Sequence, residues 1–212
     1  MQFVFANLYG LVDVPKEALE SVRGRDVIDG GGYIGDTAML FYHLFDKSRI
    51  YAFEPGEKNF KLMQDIVSKY KADDRIELQK LALSDRAGTT RLFFREDELI
   101  DAGASVTGAL ADSHKRVEVE VPMDSIDNFA KAKDLNLGLI KLDVEGAERA
   151  VLHGAEETVR KCRPIIIAAV YHTPEDFFEM KVYLESLNLG YKFMLRRSEL
   201  TTPMADLVLI AY

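Results

Sequence analysis

Residues 27–37, with the sequence VIDGGGYIGDT, constrain the fold most strongly, because an apolar strand leads into three consecutive glycines and then into a helix. Glycine lets a backbone approach a ligand closely, and the first turn of a helix offers unpaired N–H groups. We therefore expect a strand, a tight turn and a helix that together bind a cofactor. The spacing of Gly30, Gly32 and Gly35 matches a dinucleotide fingerprint, and a tight turn without a ligand is the alternative.

Asp29, at the end of that strand, disfavours a dinucleotide. The diphosphate of such a ligand lies over this turn, where a carboxylate would repel it. A ligand that carries an ammonium and a sulfonium would instead be attracted, and S-adenosylmethionine carries both. We therefore expect a methyl donor at this turn. Asp36 and Thr37, in the first helical turn, either contact this donor or only cap the helix.

A second strand and helix follow, and Glu54 and Pro55 separate them. Glu54 comes 25 residues after Asp29 (54 − 29), close to the spacing of roughly 20 residues at which an acidic residue binds a ribose in such folds. A surface carboxylate before a proline turn is the alternative. The residues expected to contact the cofactor in these two segments are Asp29, Gly31, Tyr33, Gly35, Asp36, Thr37, Glu54 and Pro55.

Residues 139–148, with the sequence LIKLDVEGAE, place a cluster of charge at the end of a buried strand. Strand alternation puts Lys141, Asp143 and Glu145 on one side. Open α/β sheets bind ligands at the carboxyl ends of their strands. We therefore expect Asp143 and Glu145 to contact the cofactor, and Lys141 and Asp143 to take part in catalysis. A structural Lys–Asp pair that anchors the next helix is the alternative.

Another apolar strand, residues 165–170, brings Tyr171 and His172 to the same edge of the sheet. Thr173 is expected to cap the next helix, with Pro174 at its first position. Of the four histidines, His172 alone lies at a predicted strand end beside the site. It is therefore a catalytic candidate, and a structural histidine with satisfied hydrogen bonds is the alternative.

Three further segments are candidates for contacts with ligands. The residues whose backbone is expected to line an adenine slot are Ala82, Leu83 and Ser84. Residues 103–108 form a linker rich in glycine, alanine and serine, which is either a substrate loop or a segment without a role. Arg196 and Arg197 are either contacts for an anionic substrate or solvated loop residues.

Length and charge restrict the partners. The chain has 212 residues, 48% of them hydrophobic, and a net charge of −8. We expect one domain over residues 26–212, preceded by a helical or lid segment, residues 1–25. The negative charge disfavours nucleic acid, and no stretch is long enough to span a bilayer. A small-molecule or glycan substrate and a cytoplasmic location are expected, and a homo-oligomer is left open.

Together, residues 27–37, 51–55, 82–88 and 140–148 resemble, in order and spacing, the FkbM family of S-adenosylmethionine-dependent methyltransferases. The resemblance covers residues 26–212 and is most specific in the Lys-x-Asp-x-Glu-Gly-Ala-Glu segment. It implies an α/β fold of the Rossmann-like methyltransferase type. That fold has a seven-stranded, mostly parallel sheet with helices on both faces and a C-terminal antiparallel hairpin.

The resemblance also implies O-methylation of a hydroxyl group on a sugar, glycan or natural product. Carried over by position, it places Asp29, Gly31 and Gly35 at the methionine end of the cofactor. It places Glu54 at the ribose hydroxyls and Asp143 near the transferred methyl group. The segment that begins at Ala82 would lie on the adenine side.

Removal of the hydroxyl proton requires a general base, and Asp143 and His172 are the two candidates. Asp143 and Glu145 could hold a divalent cation, but the spacing shows no third ligand, so we expect no metal. Two other functions remain as alternatives. One is an NAD-dependent oxidoreductase that uses the Gly-x-Gly-x-x-Gly turn, and the other is a non-catalytic ligand-binding domain on the same fold.

Overall fold

The structure is a computed structural model that describes residues 8–95, 116–197 and 207–212. The strands in those ranges are β1 Asp26–Gly30, β2 Ile50–Phe53, β3 Ile76–Gln79, β4 Ala82–Ser84, β5 Gly88–Arg95, β6 Arg116–Ser125, β7 Leu137–Leu142, β8 Ile165–Ala169, β9 Phe193–Arg197 and β10 Leu207–Ala211. The helices are α1 Lys16–Glu20, α2 Asp36–Leu44, α3 Glu57–Lys69, α4 Ile126–Lys133, α5 Glu148–His153, α6 Glu156–Cys162 and α7 Pro174–Ser186, and a 3-10 helix, Leu8–Asp13, precedes them. None of these helices has the length and hydropathy to cross a membrane. Residues 103–108, the candidate substrate loop, lie outside the described residues.

Seven strands form one sheet in the order β3-β2-β1-β7-β8-β10-β9. The first five run parallel, and β10 runs antiparallel to both β8 and β9. The predicted seven-stranded, mostly parallel sheet with an antiparallel C-terminal hairpin is therefore confirmed. The order of strands reverses between β1 and β7. The carboxyl ends of these two strands therefore border the crevice where open α/β sheets bind ligands.

The central strands are apolar because both faces of the sheet are covered. Every residue of β7 and of β8 is buried, as expected for parallel strands between two layers of helices. Helices α4 to α7 pack on one face, around Ile140 and Leu142. Helices α2 and α3 and the N-terminal segment pack on the other face, around Leu139. The predicted helices on both faces are confirmed.

A smaller sheet of three strands, in the order β4-β6-β5, accompanies the main sheet. β4 pairs parallel with β6, and β5 pairs antiparallel with β6. The sequence predicts strands at residues 89–94 and 117–121, and these lie within β5 and β6. Their alternating pattern indicates strands with one buried face, but it does not identify their partners.

Two details of the predicted helices are wrong. The sequence predicts one helix after β7, with Val151 and Thr158 on its inner face, whereas the chain forms α5 and α6 with a break at Gly154. Gly154 lies against β4, since a Cβ atom placed there would be 2.3 Å from the carbonyl oxygen of Ser84. Periodicity also places Phe177 on the buried face of α7, but this side chain is 44% exposed.

Candidate active site

Backbone contacts hold the glycine-rich turn after β1 against two neighbouring strands. The N–H groups of Gly31 and Gly32 both donate to the carbonyl oxygen of Phe53, at the end of β2, at 3.0 and 2.8 Å. Gly31 has a φ of +76°, and a Cβ atom built there would lie 1.8 Å from the carbonyl oxygen of Asp143. Only glycine permits such an approach. The turn therefore lies directly against the segment that follows β7.

Asp29 and Lys141 form a buried ion pair beside this turn. Asp29 Oδ1 lies 3.2 Å from Lys141 Nζ, and the two side chains are 0% and 2% exposed. Asp29 Oδ2 accepts a hydrogen bond from Thr37 Oγ1 at 2.7 Å. Lys141 Nζ also donates to the carbonyl oxygens of Gly30 and Gly31. Three residues predicted for the site thus brace the turn.

The charges of this pair follow from their surroundings. Burial alone would lower the pKa of Lys141, but the carboxylates of Asp29 and Asp143 outweigh burial and raise this pKa. Burial raises the pKa of Asp29, while Lys141 and Thr37 act in the opposite direction. Lys141 is therefore charged at neutral pH, and it offsets the negative charge of Asp29 within the protein.

Glu54 lies at the end of β2, next to the turn. Its carboxylate accepts hydrogen bonds from the backbone N–H groups of Tyr33, at 3.0 Å, and of Gly56, at 2.8 Å. Burial raises the pKa of Glu54 to about 7, although these two hydrogen bonds act in the opposite direction. Tyr33 has a φ of +48°, which is uncommon for a residue other than glycine. The predicted ribose ligand and the turn therefore form one hydrogen-bonded unit.

Two tyrosines donate hydrogen bonds to Asp143. Tyr9 Oη lies 2.6 Å from Asp143 Oδ2, and Tyr171 Oη lies 3.1 Å from Asp143 Oδ1. Tyr9 belongs to the N-terminal 3-10 helix, and its ring centre is 5.6 Å from Lys141 Nζ. Burial and the negative charge of Asp143 raise the pKa of Tyr9 well above its usual value. Tyr9 therefore remains a hydrogen-bond donor throughout the physiological pH range.

His172 lies among three carboxylates. Its Nδ1 is 2.9 Å from Glu148 Oε1, and its Nε2 is 3.6 Å from Asp143 Oδ1 and 3.4 Å from Glu145 Oε2. Burial would lower the pKa of His172, but the hydrogen bond to Glu148 and the charges of the three carboxylates raise it to about 9. The imidazole in this setting is therefore protonated at neutral pH.

Glu148, in the first turn of α5, fixes the position of this histidine. The residue is 0% exposed, and its two oxygens accept hydrogen bonds from the backbone N–H groups of Val144, at 2.7 Å, and Gly146, at 3.0 Å. Thr173 forms a capping box at the start of α7, which orders the backbone immediately after His172. Hydrogen bonds therefore hold both the Glu148 carboxylate beside the imidazole and the backbone at Thr173, which follows His172.

Comparison with known proteins assigns the chain to a family. Residues 29–193 match the family model described as Methyltransferase FkbM domain. This range covers more than half of the chain and includes the glycine-rich turn, Glu54, Asp143 and His172. The chain belongs to the FkbM methyltransferase family.

The chain is similar in sequence to a known FkbM protein and in fold to several solved structures. 31-O-demethyl-FK506 methyltransferase FkbM of Streptomyces tacrolimicus is 27% identical over 183 residues, which cover 74% of this chain and 69% of that protein. The crystal structure of a methyltransferase FkbM from Methylobacillus flagellatus KT has a TM-score of 0.68 and 19% identity over 89% of this chain, which spans only 43% of that chain. Fibrillarin of Aeropyrum pernix, solved with natively bound S-adenosyl-L-methionine, has a TM-score of 0.53 and 14% identity, over 100% of this chain and 74% of that one.

In this FkbM domain the structure gathers most of the residues that the sequence singles out. The turn and its hydrogen-bonded or charged neighbours contain Asp29, Gly31, Tyr33, Gly35, Thr37, Glu54, Lys141, Asp143, Glu145 and His172. Pro55 links Glu54 to α3, and Asp36 accepts a hydrogen bond from the backbone of Thr37 at 3.0 Å.

The remaining candidates lie further from this centre. Ala82, Leu83 and Ser84 form β4 of the smaller sheet, and Leu83 Cδ1 lies 3.0 Å from where a Cβ atom of Gly30 would lie. Arg196 forms an ion pair with Asp13 at 2.5 Å. The pair ties β9 to the N-terminal segment.

Sequence reasoning did not single out Tyr9, Tyr171 or Glu148 as site residues. The position of Glu148 could have identified it, because it lies three residues after Glu145 in the charged segment and at the start of a helix. Tyr171 precedes the histidine that was selected. Tyr9 carries no local signal, because its contact with Asp143 joins residues 134 positions apart.

Proposed function

We propose that this FkbM domain transfers a methyl group from S-adenosylmethionine to a hydroxyl group of a small-molecule or glycan acceptor. The observation that carries the proposal is the position of Asp143. It follows β7, lies against the glycine-rich turn on one side and faces His172 on the other. The relative from Streptomyces tacrolimicus is named for a 31-O-demethyl compound, which supports transfer to oxygen.

The residues around the turn fit this cofactor. Gly31 leaves no side chain between the turn and the backbone of Asp143. Glu54 offers carboxylate oxygens at the end of β2, where an acidic residue binds ribose hydroxyls in sheets of this kind. S-adenosylmethionine supplies a methyl carbon bonded to a positively charged sulfur. The bound S-adenosyl-L-methionine of the Aeropyrum pernix fibrillarin, which shares this fold, supports the assignment.

The chain must hold the acceptor in line with the methyl group and receive its proton. The acceptor oxygen forms a bond to the methyl carbon while the carbon–sulfur bond breaks, and the electron pair of the broken bond stays on sulfur. The hydroxyl proton passes to Asp143 acting as general base, or to His172 once its imidazole, whose pKa is raised to about 9, has lost its own proton. Tyr9 and Tyr171 keep the Asp143 carboxylate in one orientation.

The two alternative functions fit less well. Membership of a methyltransferase family argues against an NAD-dependent oxidoreductase. A non-catalytic binding domain would use the turn and Glu54, but it would not require a carboxylate and a histidine 3.6 Å apart beside the cofactor. Calorimetric titration of the full chain with S-adenosylmethionine and separately with NAD distinguishes the first alternative. We expect binding of S-adenosylmethionine alone.

Labelled methyl transfer to a panel of hydroxylated sugars and macrolides tests the reaction itself. With an accepted substrate, we expect Asp143→Asn and His172→Ala each to lower turnover by about 100-fold or more, the usual contribution of a general base. Cofactor affinity is measured separately by calorimetry. His153→Gln, on the neighbouring helix α5, is the control and should turn over normally. Wild-type turnover in both site variants would contradict the assignment of the base.

A further inference from the structure

The Nε2 atom of His172 is buried and has no hydrogen-bond partner among the described residues. The side chain is only 10% exposed, and Nε2 points between Asp143 and Glu145. Nδ1 on the other side of the ring is already bound to Glu148. A buried nitrogen without a partner is costly. Nε2 is directed towards two carboxylate oxygens, so a ligand between these groups would supply the missing partner.

The charge around the ring is strongly negative. Asp143, Glu145 and Glu148 all lie within 3.6 Å of the imidazole nitrogens. A protonated imidazole offsets only one of three negative charges, and Lys141 is already engaged by Asp29. The side chains of Asp143 and Glu145 are 23% and 38% exposed, and that of Glu148 is 0% exposed. A cation of higher charge would stabilise the cluster more than one proton does.

The two distances from His172 Nε2 suit a metal ion, and Asp143, Glu148 and His172 offer ligand atoms that all lie within 4.8 Å of one another. Two ligands about 2.1 Å from a metal and separated by a tetrahedral angle lie roughly 3.4 Å apart. Nε2 of His172 is 3.4 Å from Glu145 Oε2 and 3.6 Å from Asp143 Oδ1. The hydrogen bond between Nδ1 and Glu148 is the arrangement by which carboxylates orient metal-binding histidines. The same ring thus has one nitrogen held by a carboxylate and the other aimed into a set of oxygen ligands.

We propose that Asp143, Glu145 and His172 bind a divalent transition-metal ion, and that Glu148 positions His172 for this purpose. The sequence suggested only the two carboxylates, and the structure adds the third ligand that the spacing does not show. One imidazole nitrogen with two carboxylate oxygens suits Mn²⁺ or Zn²⁺ better than Mg²⁺.

The ion's role in transfer rests on the proposed function. There, an ion held by Asp143 would bind the acceptor oxygen and favour loss of its proton. Binding of the ion itself does not depend on that function, because every ligand atom belongs to this chain. The test can therefore be made without a cofactor or an acceptor.

The full chain, freed of metal with a chelator, is titrated with Mn²⁺ while the electron paramagnetic resonance signal of the free ion is recorded. We expect one ion to bind per chain. Glu148→Gln, which only loosens the ring, should weaken binding by about 10- to 100-fold, and His172→Gln, which removes a ligand, should weaken it at least as much. His153 lies with its ring centre 4.2 Å from that of Tyr183 in α7, and His153→Gln should bind Mn²⁺ like the wild type.

Circular dichroism melts first establish that each variant is folded. Equal Mn²⁺ affinity in the wild type and in folded His172→Gln would overturn the site. If His172→Gln does not fold, Glu148→Gln decides in the same way. Methyl transfer by the metal-free wild type together with absent Mn²⁺ binding would overturn the metal site and leave the proposed function intact. Tight, His172-dependent Mn²⁺ binding without any methyl transfer would support the site and count against the function.

Discussion

At the scale of single residues, the Asp29–Lys141 pair makes the site sensitive to the loss of either charge. Asp29→Ala leaves the buried, charged Lys141 without its ion-pair partner, and we expect a loss of about 3–5 kcal/mol in the free energy of unfolding. The double variant Asp29→Ala/Lys141→Met should recover much of this loss, because no unpaired charge remains. Urea denaturation measures both. An Asp29→Ala protein as stable as the wild type would show that the pair does not brace the turn.

The raised pKa of Glu54 leads to a prediction of how cofactor binding depends on pH. Burial raises its pKa to about 7, and binding of ribose hydroxyls requires the carboxylate form. Affinity for S-adenosylmethionine should therefore rise as pH increases from 6 to 8. Stability of the cofactor-free protein should change in the opposite direction, because a carboxyl whose pKa is raised by folding loses its contribution as pH rises through that pKa.

Glu54→Gln provides the control for both effects, since it cannot titrate. Calorimetry and thermal melts at several pH values compare it with the wild type. We expect the differences in cofactor affinity and in melting temperature between the two proteins to change between pH 6 and 8. Constant differences would mean that Glu54 does not titrate in this range. The groups around Glu54 that contribute are the backbone N–H groups of Tyr33 and Gly56, the Asn59 side chain and the charge of Lys141.

The same residues show what a sequence reveals at this scale. Strand ends and spacing were enough to select Asp29, Glu54, Asp143 and His172. The sequence predicts that the charge of Asp29 attracts a cationic ligand, whereas in the structure Lys141 offsets that charge. Pairing between residues 112 positions apart (141 − 29) cannot be read from a local pattern. The assignment of the turn to a methyl donor therefore depends on the family.

At the scale of elements, the glycine-rich turn contacts the segment that follows β7 at Gly31. Gly24 provides a matched control, because its φ of +77° equals that of Gly31 within a degree while a Cβ atom there would meet nothing within 4 Å. Gly24→Ala should cost about 1 kcal/mol, for the backbone conformation alone. Gly31→Ala carries the additional clash with Asp143 and should lose several kcal/mol as well as cofactor binding. Equal thermal melts for the two variants would contradict this contact.

Elements differed in how far the sequence defined them. β7 and β8 are uniformly apolar because both of their faces are covered, so their place in a parallel sheet was predictable. The pairing of β4 with β6 was not, because it joins strands separated by the segment around β5 and rests on backbone hydrogen bonds. The break at Gly154 depends on the approach of β4. Contacts between distant segments of this kind cannot be predicted from the residue pattern of a single helix or strand.

At the scale of the whole molecule, Asp143 joins the N-terminal segment to the ends of β7 and β8. Tyr9→Phe removes one hydrogen bond to a carboxylate, and we expect a loss of about 1.5–3 kcal/mol in stability together with weaker cofactor binding. Tyr191→Phe is the control, since Tyr191 Oη donates to the carbonyl oxygen of Pro164 at 2.8 Å, away from the site. Tyr191→Phe should reduce stability without changing cofactor affinity. Calorimetry and denaturation of both variants make the comparison, and identical cofactor affinities would contradict a role for Tyr9 in the site.

The place of β10 has a consequence for how the chain reaches this state. β10 follows β9 in the chain, yet it lies between β8 and β9 in the sheet. Until it is inserted, the all-apolar strand Ile165–Ala169 has an edge of unpaired backbone groups, which favours pairing with a second chain. Tyr171 and His172 directly follow that edge. Insertion of β10 therefore removes, beside these two site residues, the exposed strand edge on which a second chain could pair.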